Sequence, residues 1–230
     1  MFYDIGLTYP EEDNPRELLR EAKELGYKGI GFSSLGYPLP FKALIKACNK
    51  IGLDYVKRLD ISSHNKVVIK EALRKYRREV EVIVVHPLSV EAARLAARDS
   101  RVDVLNFHLK PELFEPVEAK MMALNGKVLE VNLRELISNG ATLRLIHLYR
   151  RMIYLAQSFK VEILISSGAS KPIELRRPRD LASILLFLGF KGDFRRTLSE
   201  VPFRIVSTNR AKLSKRFVAR GVWLADEGKI

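Results

Sequence analysis

The chain has 230 residues, of which 40 are Lys or Arg and 27 are Asp or Glu, so its formal charge at pH 7 is +13. Its one cysteine, Cys48, excludes a disulfide framework within the chain, and no apolar run reaches membrane-spanning length. The start, MFYDIGLTYPEE, is acidic and unlike a signal or transit peptide. We therefore expect a soluble cytoplasmic protein with a polyanionic partner.

Short β-branched runs alternate with amphipathic segments along the first 190 residues, which predicts parallel strands joined by helices. The predicted strands are 2–5, 27–32, 53–61, 81–86, 102–107, 127–131 and 161–165. The predicted helices are 14–25, 40–51, 65–78, 88–98, 116–124, 134–159 and 179–188, with short ones at 192–200 and 202–212. Val218, Val222 and Trp223 could add an irregular last strand or pack against the rest.

This alternation predicts an α/β fold, a closed barrel of seven to eight mostly parallel strands with extra C-terminal helices. No GxGxxG or GxxxxGK[ST] sequence occurs, so nothing supports a Rossmann or P-loop nucleotide site. No linker or repeat is visible either. We expect one domain over residues 1–230, with the basic C-terminal segment 190–230 packed on the barrel.

Polar side chains stand near the carboxyl ends of the predicted strands, where barrels carry their functional groups. They are Asp4, Ser33, Ser34, Asp60, His64, His86, Asn106, His108, Glu130 and Asn132. His64, His86 and His108 recur every 22 residues, so a metal-dependent phosphoesterase using these three is an alternative function. Asp60 with His86 is a candidate acid/base pair for a third function, a small-molecule barrel enzyme. Satisfied or solvent-facing loop histidines are the simpler interpretation.

Residues 161–185 join a predicted strand to a helix through small side chains, SSGAS, followed by Lys171, Arg176, Arg177 and Arg179. Such a loop at a helix start can bind an anion through its main chain, but it can also be a solvated basic loop. Residues 171–220 hold 13 basic and 4 acidic residues, so the positive charge is concentrated there. We predict RNA-binding residues in this region and on the basic helix 65–78: Lys70, Arg74, Arg77, Arg78, Lys171, Arg176, Arg177, Arg179, Arg195, Arg196, Lys212, Lys215 and Arg216.

Several segments in order resemble the archaeal ribonuclease P protein component 3 family, which is homologous to the eukaryal 30 kDa subunit. They are YDIGL at 3–7, IGFSS at 30–34, VDVLNF at 102–107, ISSGAS at 165–170, RRPRD at 176–180, LLFLGF at 185–190 and SEVPFRIV at 199–206. The resemblance implies a TIM-like barrel related to the polymerase and histidinol phosphatase superfamily. That superfamily opens with an HxH motif after its first strand, where this chain has Asp4-Ile5-Gly6-Leu7-Thr8. The resemblance therefore implies no catalytic residue and no metal ligand in this chain.

The resemblance also implies a role in tRNA processing, namely 5′-leader removal from precursor tRNA. In that assembly the RNA subunit is expected to carry the Mg²⁺-dependent catalysis, and this chain needs no cofactor of its own. The implied partners are ribonuclease P RNA, precursor tRNA and a small ferredoxin-like protein subunit, in a two-plus-two heterotetramer. No membrane partner is implied.

Overall fold

Strands and helices alternate in the computed structural model, which describes residues 1–10, 15–33, 35, 39–138, 140, 142–214, 217–219 and 222–223. At residues 138, 218, 219 and 223 only the main chain is described. The first eight strands are β1 (Phe2–Thr8), β2 (Tyr27–Ser33), β3 (Asp54–Val56), β4 (Arg58–Ser63), β5 (Val82–Pro87), β6 (Val104–Asn106), β7 (Val128–Asn132) and β8 (Glu162–Ser166). All their pairings are parallel.

The strands form a closed barrel of seven βα units. β1, β2 and β3 pair in that order, as do β4 to β8, and β3 and β4 are one strand interrupted at Lys57. A bridge between Leu35 and Asp60 joins the end of β2 to β4. On the other side, the Thr8 N–H donates to the Ala169 carbonyl at 3.0 Å, which holds β1 beside the end of β8. The predicted TIM-like barrel is thus confirmed, with seven units rather than eight.

The helices cover the outside of the barrel. They are α1 (Arg16–Glu24), α2 (Phe41–Lys50), α3 (Lys66–Tyr76), α4 (Val90–Arg98), α5 (Pro116–Leu124), α6 (Arg134–Ser138), α7 (Leu143–Ser158), α8 (Pro178–Phe187) and α9 (Val201–Leu213). Short 3₁₀ turns occur at Pro111–Leu113 and Pro172–Glu174, and a π-helical turn at Arg196–Glu200 leads into α9. No helix in the described ranges has the length and apolar character needed to cross a bilayer.

The single helix predicted over 134–159 is wrong, because the structure has two helices there. Gly140 adopts φ +78° between them, a conformation that glycine reaches without steric cost. α7 then starts afresh, with the Thr142 hydroxyl accepting a hydrogen bond from the Leu145 N–H at 3.2 Å. This cap marks the start of a new helix, so the apolar periodicity over 134–159 runs through two helices and not one.

α9 closes the amino-terminal end of the barrel. Val201, Ile205 and Val206 are buried in the inner core together with inward-facing strand residues such as Val82 and Val104. A larger core between strands and helices contains Cys48, the buried thiol that its helical position predicted. After α9, the strands β9 (Phe217–Ala219) and β10 (Val222–Trp223) pair antiparallel with each other. They form a separate two-stranded sheet, so the last strand of the barrel suggested at Val218, Val222 and Trp223 does not form.

Candidate functional site: the barrel mouth and the basic surfaces

A buried arginine, Arg58, lies in the middle of the barrel beneath its mouth, the carboxyl end of the strands. Its side chain is completely buried, and all five N–H groups have an acceptor. Nε and Nη2 donate to the two oxygens of Asp60 at 2.9 and 2.6 Å. Nη1 and Nη2 donate to the two oxygens of Glu130 at 2.8 and 2.7 Å, and Nη1 also donates to the Ile5 carbonyl at 2.9 Å. One guanidinium thus bridges two buried carboxylates in bidentate fashion.

Neighbouring polar side chains satisfy the remaining carboxylate acceptors. The Ser166 hydroxyl donates to Glu130 at 2.6 Å, the Asn106 amide donates to the same carboxylate at 3.0 Å, and His86 Nε2 lies 2.7 Å from Asp60. Burial by itself raises the pKa of Asp60 and Glu130, but the charge of Arg58 outweighs it and holds both pKa values below their ordinary range. Burial disfavours the charged guanidinium in turn, yet the two carboxylates raise its pKa. All three groups are therefore ionised, and each carboxylate is paired with the one guanidinium.

The small-residue loop after β8 is part of this interior. Ser167 donates to the Asp4 carboxylate from its main-chain N–H at 3.1 Å and from its hydroxyl at 2.6 Å, and the Gly6 N–H donates to it at 3.2 Å. Burial without a cation raises the pKa of Asp4. Gly168 adopts φ +68°, and a Cβ there would lie 2.2 Å from the Asn132 amide oxygen. The loop that could have cradled a phosphate is instead packed against the barrel interior.

The rim histidines form a pair, not a triad. His86 Nδ1 lies 3.3 Å from His108 Nδ1, which lies 3.0 Å from the Asn106 amide oxygen. Burial, reinforced by His86, lowers the pKa of His108 to about 4, so that its ring is neutral at pH 7. His64 is exposed, and only its main-chain carbonyl takes part, accepting a bond from Ser89. No three His, Cys, Asp or Glu side chains of the described residues are grouped to hold a metal, so the structure does not support the alternative three-histidine site.

A cavity of about 530 Å³ opens above this network. Its lining residues are Thr8, Tyr9, Ser33, Leu35, Leu39, His86, His108, Asn132, Arg134 and Glu135. Arg134 is held in place there, since its Nη1 donates to the Gly168 carbonyl at 3.0 Å. Asp60 and His86 do meet, as the acid/base interpretation required, but Asp60 also carries two bonds from Arg58. A divalent cation does not fit this donor set, because the guanidinium already occupies the position between the carboxylates.

Some of the predicted RNA-binding residues form two groups, one at each end of the barrel. In the connection after β8, Lys171, Arg177 and Arg179 are exposed. Arg176 is partly exposed and folds back on its own turn, its Nη1 donating to the carbonyls of Ile173 at 2.6 Å and Leu175 at 3.0 Å. Of the four cations predicted here, three are therefore fully exposed and one is held by main-chain carbonyls.

At the opposite, amino-terminal end, Arg77 and Arg78 follow α3 and meet Lys212 of α9 around a hollow of about 200 Å³. Arg77 is committed to the fold, since it pairs with Asp103 at 2.5 Å and donates to three main-chain carbonyls. Arg101 also lines this hollow and is a basic residue that the sequence reasoning did not include.

The other predicted cations lie apart. Lys70, Arg74 and Arg195 are exposed, and Arg196 is exposed but pairs with Glu162 at 2.7 Å. Lys215 and Arg216 lie outside the described residues, as does Ser34. The predicted residues therefore do not form one continuous surface.

Comparison with solved structures defines the class of fold. The chain superimposes with a TM-score of 0.53 on a histidinol phosphate phosphatase from Lactococcus lactis in complex with zinc, L-histidinol and phosphate, at 13% identity over 83% of this chain and 94% of that one. It superimposes with a TM-score of 0.82 on a chain in a cryo-EM structure of archaeal ribonuclease P with mature tRNA, at 19% identity over 99% and 100% of the two chains. The protein is an α/β barrel with the fold of that phosphatase and with an arginine among its central carboxylates.

Sequence comparison identifies the family. The family model for RNase P subunit p30 matches residues 1–214, and the chain belongs to this family. Ribonuclease P protein component 3 of Methanococcoides burtonii is 28% identical over 228 residues, covering 96% of this chain and 92% of the relative. The protein of the same name from Methanothermobacter thermautotrophicus is 25% identical over 239 residues, covering 98% and 96%. The resemblance seen in the sequence is confirmed.

Proposed function

We propose that this chain acts as a noncatalytic, RNA-binding subunit of ribonuclease P and assists the catalytic RNA in removing 5′ leaders from precursor tRNA. One contrast carries the proposal. Asp60 and Glu130 inside the mouth are both paired with Arg58, whereas Arg177 and Arg179, at the start of α8, are exposed and their side chains pair with no carboxylate of the described residues. Carboxylates paired inside and cations exposed outside suit a scaffold that binds phosphates and performs no chemistry on them.

Electrostatics is sufficient for such a role. Each Lys or Arg that neutralises a phosphate releases counterions, so affinity falls steeply with salt and needs no contact with bases. Folded RNA is recognised mostly by shape and backbone. The three-histidine phosphoesterase is not retained as an alternative, because His64 is exposed, does not line the mouth cavity, and forms no metal-holding group with the other two histidines among the described residues.

The proposed partners are those that the family resemblance implies. They are ribonuclease P RNA and precursor tRNA, with Mg²⁺ serving the RNA, and a small ferredoxin-like protein subunit in a two-plus-two heterotetramer. A structural relative comes from archaeal ribonuclease P with mature tRNA, which supports the RNA partners. The proposed place of action is the cytoplasm, and residues 1–230 are proposed to act as one domain. Of the basic segment 190–230, α9 packs against the barrel, and residues 215–216, 220–221 and 224–230 lie outside the described residues.

The test is a reconstituted cleavage assay with ribonuclease P RNA, the other protein subunits and precursor tRNA, across a salt series. Adding the wild-type chain should increase leader removal. Arg177→Glu with Arg179→Glu should lower this gain and make it more salt-sensitive, because two phosphate contacts become repulsive.

The matched control is Lys120→Glu with Arg144→Glu, which makes the same charge change at exposed positions of α5 and α7 outside the predicted set. This control should behave like wild type. Equal activity of the Arg177/Arg179 variant at every salt concentration would contradict the role of these arginines. Hydrolysis of a phosphodiester by the chain alone, abolished by a chelator, would overturn the noncatalytic function.

A further inference from the structure

A second basic surface lies in the groove between α1 and α2. None of the predicted RNA-binding residues belongs to it. The groove has a volume of about 500 Å³ and is lined by Arg16, Leu19, Arg20, Ala43, Lys46, Ala47, Lys50 and Ile51. Among the described residues, no carboxylate lines it. Both of its walls are therefore cationic.

The sequence of α1, RELLREAKE, separates its charges into two stripes. Arg16, Arg20 and Lys23 recur at helical spacing on one side, and Glu17, Glu21 and Glu24 recur on the adjacent side. The groove has α1's basic stripe on one wall and Lys46 and Lys50 of α2 on the other. Because like charges across a groove repel, the folded chain would be more stable if the glutamates of α1 faced Lys46 and Lys50.

The groove cations are available to a ligand. Arg20, Lys46 and Lys50 are exposed, and none of them has a hydrogen bond or ion pair with a described residue. Lys23, by contrast, is tied to the end of α2, because its Nζ donates to the Gly52 carbonyl at 3.0 Å. Three side chains thus keep their full charge for an anion.

The floor of the groove favours a nucleic-acid backbone over a protein helix. Its accessible apolar groups are Ala43, Ala47 and the half-buried Ile51, and no large apolar side chain of α1 or α2 is fully exposed. A docking protein helix needs bulky anchors in a pocket, which are missing here. Small side chains between two rows of cations instead let a phosphate chain approach closely.

α1, which forms one wall of the groove, also contacts the connection that carries Arg177 and Arg179. The turn Pro172–Glu174 lies beside α1, and the Tyr27 hydroxyl donates to the Arg176 carbonyl at 2.8 Å, immediately before Arg177. We infer that the α1–α2 groove, through Arg20, Lys46 and Lys50, binds the phosphodiester backbone of ribonuclease P RNA. This inference rests on the proposed function and adds a contact surface to it.

A charge-swap variant tests the inference at constant composition. Arg20→Glu with Glu21→Arg keeps the net charge and replaces one strong helix former by another, but moves the positive charge out of the groove. Binding to ribonuclease P RNA is measured over a KCl series. The slope of log K against log[salt] should become shallower by about 0.7–0.9 for this variant, and by about 1.4–1.8 for Arg20→Glu with Lys46→Glu. Lys120→Glu with Arg144→Glu serves again as the control for charge alone.

If wild type binds the RNA and the Arg177/Arg179 variant binds weakly, but both groove variants keep the wild-type affinity and slope, the inference is wrong and the proposed function stands. If wild type itself does not bind or assist the RNA, the proposed function fails. If groove variants bind RNA normally but no longer join the other protein subunits, a protein occupies the groove and the inference is overturned. Should the swap disturb folding by circular dichroism, Lys46→Gln with Lys50→Gln gives the same test.

Discussion

Replacing Arg58 by methionine removes the cation at the centre of the barrel and leaves its two carboxylates buried. Methionine keeps an unbranched side chain that fills the same space, so the perturbation is mainly electrostatic. Breaking a buried ion pair by deleting one partner costs about 3–5 kcal/mol, because the other charge is left uncompensated. Here both Asp60 and Glu130 lose bidentate partners, so we expect a loss of about 3–5 kcal/mol at pH 7. That is a large part of the ~5–15 kcal/mol that stabilises a typical domain.

The stability difference between the wild type and Arg58→Met should depend on pH. In the wild type, Asp60 and Glu130 have pKa values below their ordinary range, so their stabilisation is present above the ordinary carboxyl pKa and is lost as the pH falls. Without Arg58, burial raises both pKa values, so the variant is penalised at neutral pH and relieved as the carboxyls take up protons. The gap between wild type and variant should therefore narrow from pH 7 towards pH 4.

Urea unfolding followed by far-ultraviolet circular dichroism at several pH values measures both effects. Adding Asp60→Asn and Glu130→Gln to Arg58→Met should recover most of the loss, since neither former partner of Arg58 then carries a charge. A loss under about 1 kcal/mol at pH 7, well below the range expected for a broken buried pair, would refute the reasoning. A gap that widens on acidification would refute it as well.

Two further changes test the surroundings of Arg58. The pKa of about 4 for His108 lies below that of the unfolded chain, so wild-type stability should fall as the pH drops from about 6.5 to about 4. His108→Gln should remove up to about 3 kcal/mol of that fall, measured by urea unfolding; an unchanged pH profile would contradict the burial of this ring. In Gly6→Ala, the new Cβ would lie 2.2 Å from Glu130 Oε1 and 2.6 Å from the Ser166 hydroxyl oxygen. We expect a loss of about 1–3 kcal/mol or more from overpacking in thermal or urea unfolding, and a neutral effect would show that the network yields easily.

The fold was predictable because its signals are local. Each β-branched run is buried as a strand, and Asn65, for example, caps α3 by accepting a bond from the Val67 N–H at 2.8 Å. The sequence did not predict the helix boundary between α6 and α7. Its local signals, Gly140 and Thr142, are weak because they lie within one stretch of periodic apolar residues. Periodicity describes faces of helices and gives little information on where a helix stops.

The central network was only half predictable. Asp60, His86, Asn106 and Glu130 stood out as polar residues at strand ends, but Arg58 was missed. A signal existed, because Arg58 and Asp60 alternate with Leu59 and Ile61 and so share one face of β4. One sequence, however, does not tell which face of a barrel strand points inward, nor that a carboxylate from β7 meets it there. That contact joins residues 72 positions apart and exists only once the barrel closes.

Net charge along the chain also proved a poor guide to available charge. The basic stretch 171–220 contains Arg196, Arg204 and Arg210, which pair with Glu162, Asp54 and Glu81 at the amino-terminal end of the barrel. These pairs hold α9 and the turn before it in place, so their cations are structural and are only weakly attractive to a distant polyanion. A helix with nearly equal numbers of acidic and basic residues, such as α1, can present more available positive charge to a polyanion. Its acidic and basic residues lie on different sides, and Arg20 on the basic side has no ion pair with a described residue. A polyanion responds to the local potential where opposite charges are absent, so the placement of carboxylates decides where RNA binds as much as the placement of arginines.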